Sequence, residues 1–262
     1  MNKPEIIQAV KAERRATLTL LRDLDPDRFD SPTALPGWRI REVVAHLITT
    51  DRASVTGGII PTILLARNTD RLEEWNERQV PKWANRPVPD LLIGLERWGR
   101  RFVRLADTTP IGVYRVRIRT PWGRAPGGIA FWVRAYDEWV HRHDIRRALD
   151  LPEEQVDLAS VSEFLLNAIG YGTIHLIPQR PAAIAISFDG VPLPEWGFDL
   201  AGRTFGPDLA GGADARIVAS APAFIMAAAA RDKFDDLKES GALKIEGDEA
   251  LASELLENLR IV

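Results

Sequence analysis

The sequence predicts an α+β protein of two domains: an antiparallel four-helix bundle, then a smaller α+β domain. Three observations carry this. Apolar residues recur at helical spacing through most of residues 1–150, and short period-two runs follow from residue 182. Charge divides the same way. Residues 1–150 hold 26 Lys and Arg against 19 Asp and Glu, net +7; residues 151–262 hold 8 against 18, net −10. The length, 262 residues, is that of one large or two small domains. The boundary is expected at residue 152, giving domains 1–152 and 153–262.

The elements follow in order. Residues 4–23 read as a helix, with Ile6, Ile7, Val10, Leu18 and Leu21 at helical spacing and Asp25–Pro26–Asp27 as its stop. After the Pro36–Gly37 turn, a second helix starts near Trp38 or Arg39 and carries Val43, Val44, Leu47 and Ile48. Gly57–Gly58 and Pro61 interrupt or end it. Helical stretches cover about 67–79 and 89–106. Residues 112–120 alternate Val, Tyr and Ile with Arg115, Arg117 and Arg119, a period of two that predicts a strand. Pro121–Gly128 is a turn, and 128–149 a long helix. Beyond Pro152 come a helix over 155–177, then strands at 182–188, 196–200 and 215–219. A helix at 222–230, a strand at 243–245 and a closing helix at 248–259 complete the chain.

Composition removes several classes of chemistry. Cysteine is absent, so a Cys nucleophile, an iron–sulfur cluster and a thiolate zinc site are excluded. The longest apolar run, Ala221–Ala230, has ten residues counting Pro222, half of what a bilayer span needs. The N-terminus, Met-Asn-Lys-Pro-Glu, has no apolar signal core, so a cytoplasmic protein is expected. The arginines of the basic half are interleaved with acids and the chain is net −3, which argues against a nucleic-acid surface.

Two segments place histidines in informative company: Trp38 to Leu47, containing His46, and Tyr136 to Leu149, containing Asp137, His141 and Asp144. Asp137 and His141 are four apart, about 40° on a helix, so their side chains can converge on one point. Glu138, Arg142 and Arg146 fall on a different face and read as solvated. His143 points about 200° from His141 and is excluded as a co-ligand. The residues alone leave three readings open: a hydrogen-bonded core histidine, an intrahelical Asp137–His141 ion pair, or a metal site closed by His46 from a facing helix.

The two segments resemble the mycothiol-dependent maleylpyruvate isomerase family of DinB-like bundle enzymes. The matching residues are Trp38, Glu42, Val43, His46 and Leu47, then Asp137, His141 and Asp144 with the trailing Ile145–Leu149. The resemblance implies that His46, Asp137 and His141 bind a divalent metal: zinc, with nickel as the alternative. It also implies a sterol-carrier-like C-terminal domain, whose closing features resemble Ala230–Arg231 and Gly247–Asp248. This chain departs from the pattern twice. Arg39 stands where Ser or Thr often caps the helix, although Glu42 keeps the capping-box distance. Asp137 stands where Glu is often the ligand.

Two histidines and one carboxylate leave a coordination position open, as in catalytic zinc sites. With no thiol in the chain, the resemblance implies mycothiol or a similar small thiol as co-substrate, acting on a small electrophile by isomerisation or S-transfer. Two other functions fit the same residues: a non-enzymatic metal- and lipid-binding module, and a hydrolase using metal-bound water. Asp144 is expected to orient a ligand imidazole, or else to pair with Arg147 or Arg41. Arg115, Arg117 and Arg119 would receive an anionic substrate, or form the wet face of an edge strand. Arg231 would contact substrate and thiol, or be a solvated helix-end charge. Trp38 and Trp139 would line the pocket, or pack the core. No nucleic-acid or membrane partner is expected, and the assembly is a monomer or homodimer.

Overall fold

The computed structural model describes residues 2–57, 70–120, 123–152 and 158–261, with residues 70–73 by backbone alone. They form two compact units: Met1–Pro121 with Ala125–Asp157, and Trp122–Arg124 with Leu158–Val262. Residues 58, 61, 67–69, 121, 122 and 155–157, on which parts of the predicted turns and helices fall, lie outside the described residues, as does the start of the second predicted domain.

In the first unit, α1 spans Lys3–Arg22. A reciprocal capping box opens it: Glu5 N–H donates to Asn2 Oδ1, and Asn2 N–H donates to Glu5 Oε2 at 2.8 Å. α2 spans Ile40–Thr56 and ends at Gly57, whose φ of +75° suits a residue without Cβ. Arg39 has no acceptor, so only half of a capping box forms at the start of α2. Glu42 accepts the Arg39 N–H at 2.8 Å and also its guanidinium. Next come α3 (Asp70–Gln79), α4 (Pro81–Ala84), α5 (Val88–Thr108), the short α6 (Ile111–Arg115) and, after a hairpin of β1 (Arg117–Thr120) and β2 (Gly123–Pro126), α7 (Ile129–Ala148). α1 packs along α7 and α5, and α2 packs along α5 and α7. The core between them holds Leu21, Phe29, Val44, Leu47, Leu95 and Ile145. Burial of such side chains, roughly 1.5–3 kcal/mol each, is the main force holding the four long helices. Gly94 lets α4 approach α5: a Cβ there would lie 2.4 Å from the Trp83 ring.

The strand expected at 112–120 is only half present. Residues 111–115 turn helically after Pro110, and the strand begins at Arg117, so Arg115 is not on it. In the helical turn the buried side chain is Tyr114, whose hydroxyl donates to the Ala106 carbonyl at 2.9 Å; Val113 and Val116 are exposed, and Thr120 is the buried residue of the strand.

The second unit is a five-stranded sheet with helices. Its strands are β3 (Ala183–Asp189), β4 (Trp196–Asp199), β5 (Thr204–Gly206), β6 (Ala215–Ser220) and β7 (Leu243–Gly247), in the order β5-β4-β3-β6-β7. Only β3 and β6 run parallel, with Ile184 opposite Ala215 and Ile186 opposite Ile217. Helices α8 (Leu158–Tyr171), α9 (Ala221–Ala228), α10 (Phe234–Glu239) and α11 (Glu249–Glu257) accompany it. The mixed sheet after residue 182 was expected. β5 and α10 were not: three and six residues are too short to show periodicity. Phe205 of β5 is nonetheless an anchor. Its ring meets Tyr171, Trp196 and Phe198, and a Cβ on Gly170 would lie 2.3 Å from it.

Candidate metal centre

The first unit brings His46 of α2 together with Asp137 and His141 of α7, offering ligand atoms within 4.8 Å of one another. His46 Nε2 lies 3.6 Å from Asp137 Oδ2, and His141 Nε2 lies 3.4 Å from Asp137 Oδ1. Ligands around a tetrahedral ion at bond lengths of ~2.0–2.2 Å stand about 3.4 Å apart. The spacing is therefore that of donors to one small cation.

Both imidazoles have their other nitrogen committed. His46 Nδ1 sits 3.1 Å from Asn76 Oδ1, and His141 Nδ1 sits 2.9 Å from Asp144 Oδ2. Each Nδ1 bonds an acceptor oxygen and so carries a proton, which leaves Nε2 as the ring atom turned toward the cluster. His46 Nε2 is buried and has no hydrogen-bond partner among the described residues. An orphaned lone pair beside a second imidazole and a carboxylate fits a metal better than it fits a packed core.

The electrostatics agree. Burial lowers the His46 pKa below its usual 6.5. Burial opposes charge on His141 too, but Asp137 and Asp144 outweigh it and raise His141 to about 9. Burial also works against the Asp137 carboxylate, yet Arg134, His141 and His46 together hold it well below the usual range.

Trp38 flanks the cluster, its ring 5.5 Å from that of His46 and 6.3 Å from that of His141. Trp139 does not line the site. It is fully buried and stacks on His143 at 3.6 Å, which corrects the pocket-lining reading in favour of core packing. His143 bonds the Trp139 carbonyl through Nδ1, away from the ligand trio. Arg41 is engaged by Asp30 and the Ala84 carbonyl. Arg231 belongs to the second unit and donates to the Ala229 carbonyl at 2.7 Å. Arg115, Arg117 and Arg119 are exposed.

The expectation that Glu138 and Arg142 are solvated is overturned. Glu138 is 2% exposed and Arg142 0%. Arg142 pairs with Glu13 of α1, and Glu138 with Arg14 of α1 at 2.7 Å. Arg134 bridges Asp51 of α2, at 3.0 Å, and Asp137. Sequence reasoning passed over Asn76, Asp51, Arg134 and Arg14. A usable signal was present: Arg134, Glu138 and Arg142 recur every four residues, one row on α7.

Four long helices, two facing histidines with one carboxylate that could hold a cation, and an α+β unit define a two-unit helix-and-sheet protein. The chain matches the model of the mycothiol maleylpyruvate isomerase N-terminal domain over residues 10–146 and belongs to that family of enzymes. In structure it is similar to a mycothiol-dependent maleylpyruvate isomerase, at 14% identity and a TM-score of 0.58, covering 94% of this chain and 93% of that one. A single-substitution mutant of that isomerase matches with the same values. A sterol carrier protein 2-like protein from Aedes aegypti aligns over 36% of this chain and 93% of its own, at 16% identity and a TM-score of 0.30, too low to assign the second unit. No curated protein matches the chain in sequence. Among the described residues no helix is long and apolar enough to cross a membrane.

Proposed function

We propose that the chain is an isomerase or S-transferase that uses a divalent metal, zinc, and a small thiol of the mycothiol type. The single observation that carries the metal is the convergence of two buried Nε2 atoms and a carboxylate whose remaining contacts are already made. Family membership supports the thiol.

His46, Asp137 and His141 would hold the ion. When bound, it supplies a Lewis acid that favours the thiolate form of a thiol at neutral pH. The chain has no cysteine, so the nucleophile must come from a small molecule. Asp144 and Asn76 keep the two imidazoles in the Nδ1–H tautomer. Trp38 closes one side of the cluster with an apolar wall. A thiolate adding to an activated double bond turns it into a single bond. Rotation and expulsion of the thiolate then give the other isomer and regenerate the thiol.

Elemental analysis of the purified protein, followed by turnover with and without a small thiol, tests the proposal. It expects about one zinc per chain, from a single trio of ligands, and turnover that needs the thiol. Turnover without thiol would replace it with metal-assisted hydrolysis. Absence of any bound divalent ion would remove the metal.

A further inference from the structure

Asp137 is the most exposed of the three candidate ligands, its side chain 26% accessible against 9% and 8% for His46 and His141. It also sits on the same helix as His141, and helical spacing alone does not decide how its carboxylate is turned between the two histidines, with Oδ1 toward His141 and Oδ2 toward His46. A buried ion network decides it. Arg134, one turn earlier, binds Asp137 Oδ2 through Nη1 and Asp51 Oδ1 through Nε at 3.0 Å. Asp51, fully buried, is held on its other oxygen by Arg14 Nη2 at 2.6 Å. Arg14 in turn donates to the Leu95 carbonyl and pairs with Glu138. Residues from all four long helices therefore meet behind one carboxylate: Arg14 from α1, Asp51 from α2, Leu95 from α5, and Arg134 and Glu138 from α7.

We infer that Arg134, anchored by Asp51, is a positioning residue for the metal centre: it commits Asp137 Oδ2 and leaves Oδ1 turned to His141. The inference rests on the metal reading above. Two guanidiniums, Arg14 and Arg134, meet two carboxylates, Asp51 and Glu138, so this part of the network is neutral before Asp137 is counted. The guanidinium charge is thus locally compensated, and orientation is its main effect on a cation at the trio. A planar fork suits the task, because its separate N–H groups hold two carboxylates at a fixed angle, which a lysine ammonium on a flexible stem does not do.

The test uses the full-length protein, stripped of metal and titrated with Co2+ and Zn2+ against a chromophoric chelator. Arg134→Lys keeps the charge and loses the fork. The double variant Arg134→Met/Asp51→Asn removes one charge of each sign and keeps the balance. Arg142→Lys makes the same chemical change at another buried pair, Arg142–Glu13, whose carboxylate is not a candidate ligand. The inference expects ~10–100-fold weaker metal binding in the first two variants, the range for lost outer partners of a metal ligand. It also expects an altered visible Co2+ spectrum in both. Arg142→Lys should lower the unfolding temperature while affinity and spectrum stay as in the parent. Equal affinity and spectrum in parent and Arg134→Lys would overturn the inference and leave the metal reading standing. So would an equal loss in Arg142→Lys, since the effect would then be general bundle disturbance. If one of the Arg134 variants does not fold, the other decides. A parent protein that binds neither ion would overturn the metal reading itself.

Discussion

His141 Nδ1 and Asp144 Oδ2 lie 2.9 Å apart across one turn of α7, and the carboxylate is 1% exposed. Bonded at Nδ1, the ring has only Nε2 to offer, and Nε2 is on the side of Asp137 and His46. A carboxylate partner also makes the imidazole more basic, and so a better donor.

Asp144→Ala should therefore weaken zinc binding by ~10–100-fold without removing it, as expected when an outer partner is lost and all three ligands remain. Asp144→Asn, which can still offer an acceptor oxygen to Nδ1–H, should lose less than Asp144→Ala. A chelator-competition titration of the three proteins checks both statements. Parent-like affinity in the alanine variant would mean that packing alone orients His141.

Asn76 plays the same part for His46, across 30 residues of sequence and from a different helix. Asn76→Ala should lower zinc affinity toward the smaller end of the same range, about 10-fold, because a neutral amide polarises the ring less than a carboxylate. Combined with Asp144→Ala the losses should multiply, since the two partners act on separate rings. A double variant no weaker than Asp144→Ala alone would show that Asn76 contributes nothing to the ion.

The convergence of His46, Asp137 and His141 was legible because its defining relation is local. Asp137 and His141 are four apart on one helix, and only His46 had to arrive from elsewhere. The network behind the trio was not legible from spacing in the same way. Arg134 and Asp51 are 83 residues apart, and Arg142 and Glu13 are 129 apart. A charged residue on a helix reads as solvated until its opposite charge is placed, and here the opposite charges come from α1 and α2. The same limit explains Glu13 and Arg14, which lie inside the bundle among Ile6, Val10 and Leu18. Short elements failed for another reason. Residues 112–120 alternate in polarity, but Pro110 starts a helical turn, so a strand forms only from Arg117, with Thr120 as its one buried residue. The mixed sheet at β3 and β6 was legible because β6 alternates in burial at every residue.

His141→Ala should abolish metal retention, since two donors would remain at a site that has three. His143→Ala should retain the metal. It will not be silent, however, because His143 is 1% exposed, stacked on Trp139 and bonded to its carbonyl. Its loss should cost ~1–3 kcal/mol of stability, the range for a packed and hydrogen-bonded core side chain. Metal analysis and thermal unfolding, run on both variants, separate the roles. Loss of metal in His143→Ala with retention in His141→Ala would place the ligand face on the wrong side of α7.

Arg142→Met removes the cation set against Glu13, and both side chains are fully buried. Taking one member from a buried pair typically costs ~3–5 kcal/mol, because the remaining charge stays out of water. The variant should unfold at lower temperature and lower denaturant than the parent, while zinc content per folded chain is unchanged. A shift no larger than that of a surface substitution, within ~0.5 kcal/mol, would show that water reaches Glu13 in solution.

The site also makes a prediction about pH. In the metal-free protein, Asp137 and Asp144 raise His141 from 6.5 to about 9, so this ring holds a proton at neutral pH. A group whose pKa is raised by folding stabilises the folded state fully below its unfolded value and loses that contribution as pH rises through the folded one. The His141 contribution should therefore be complete below pH 6.5 and gone above about 9. His46 works in the opposite sense. Burial lowers its pKa below 6.5, so its contribution is present above that pH and lost as pH falls toward its folded value. Metal-free protein should thus unfold at a lower temperature at pH 9.5 than at pH 7. Metal binding needs His141 Nε2 without its proton, so zinc uptake at pH 7 should release about one proton, and affinity should rise by about tenfold per pH unit until His141 has titrated. Calorimetry in buffers of different ionisation enthalpy counts the protons, and unfolding of metal-free and zinc-loaded protein across pH 6–10 reads the stability. If zinc uptake at pH 7 releases no proton, His141 is neutral before the ion arrives, and the carboxylates around it do not control the site.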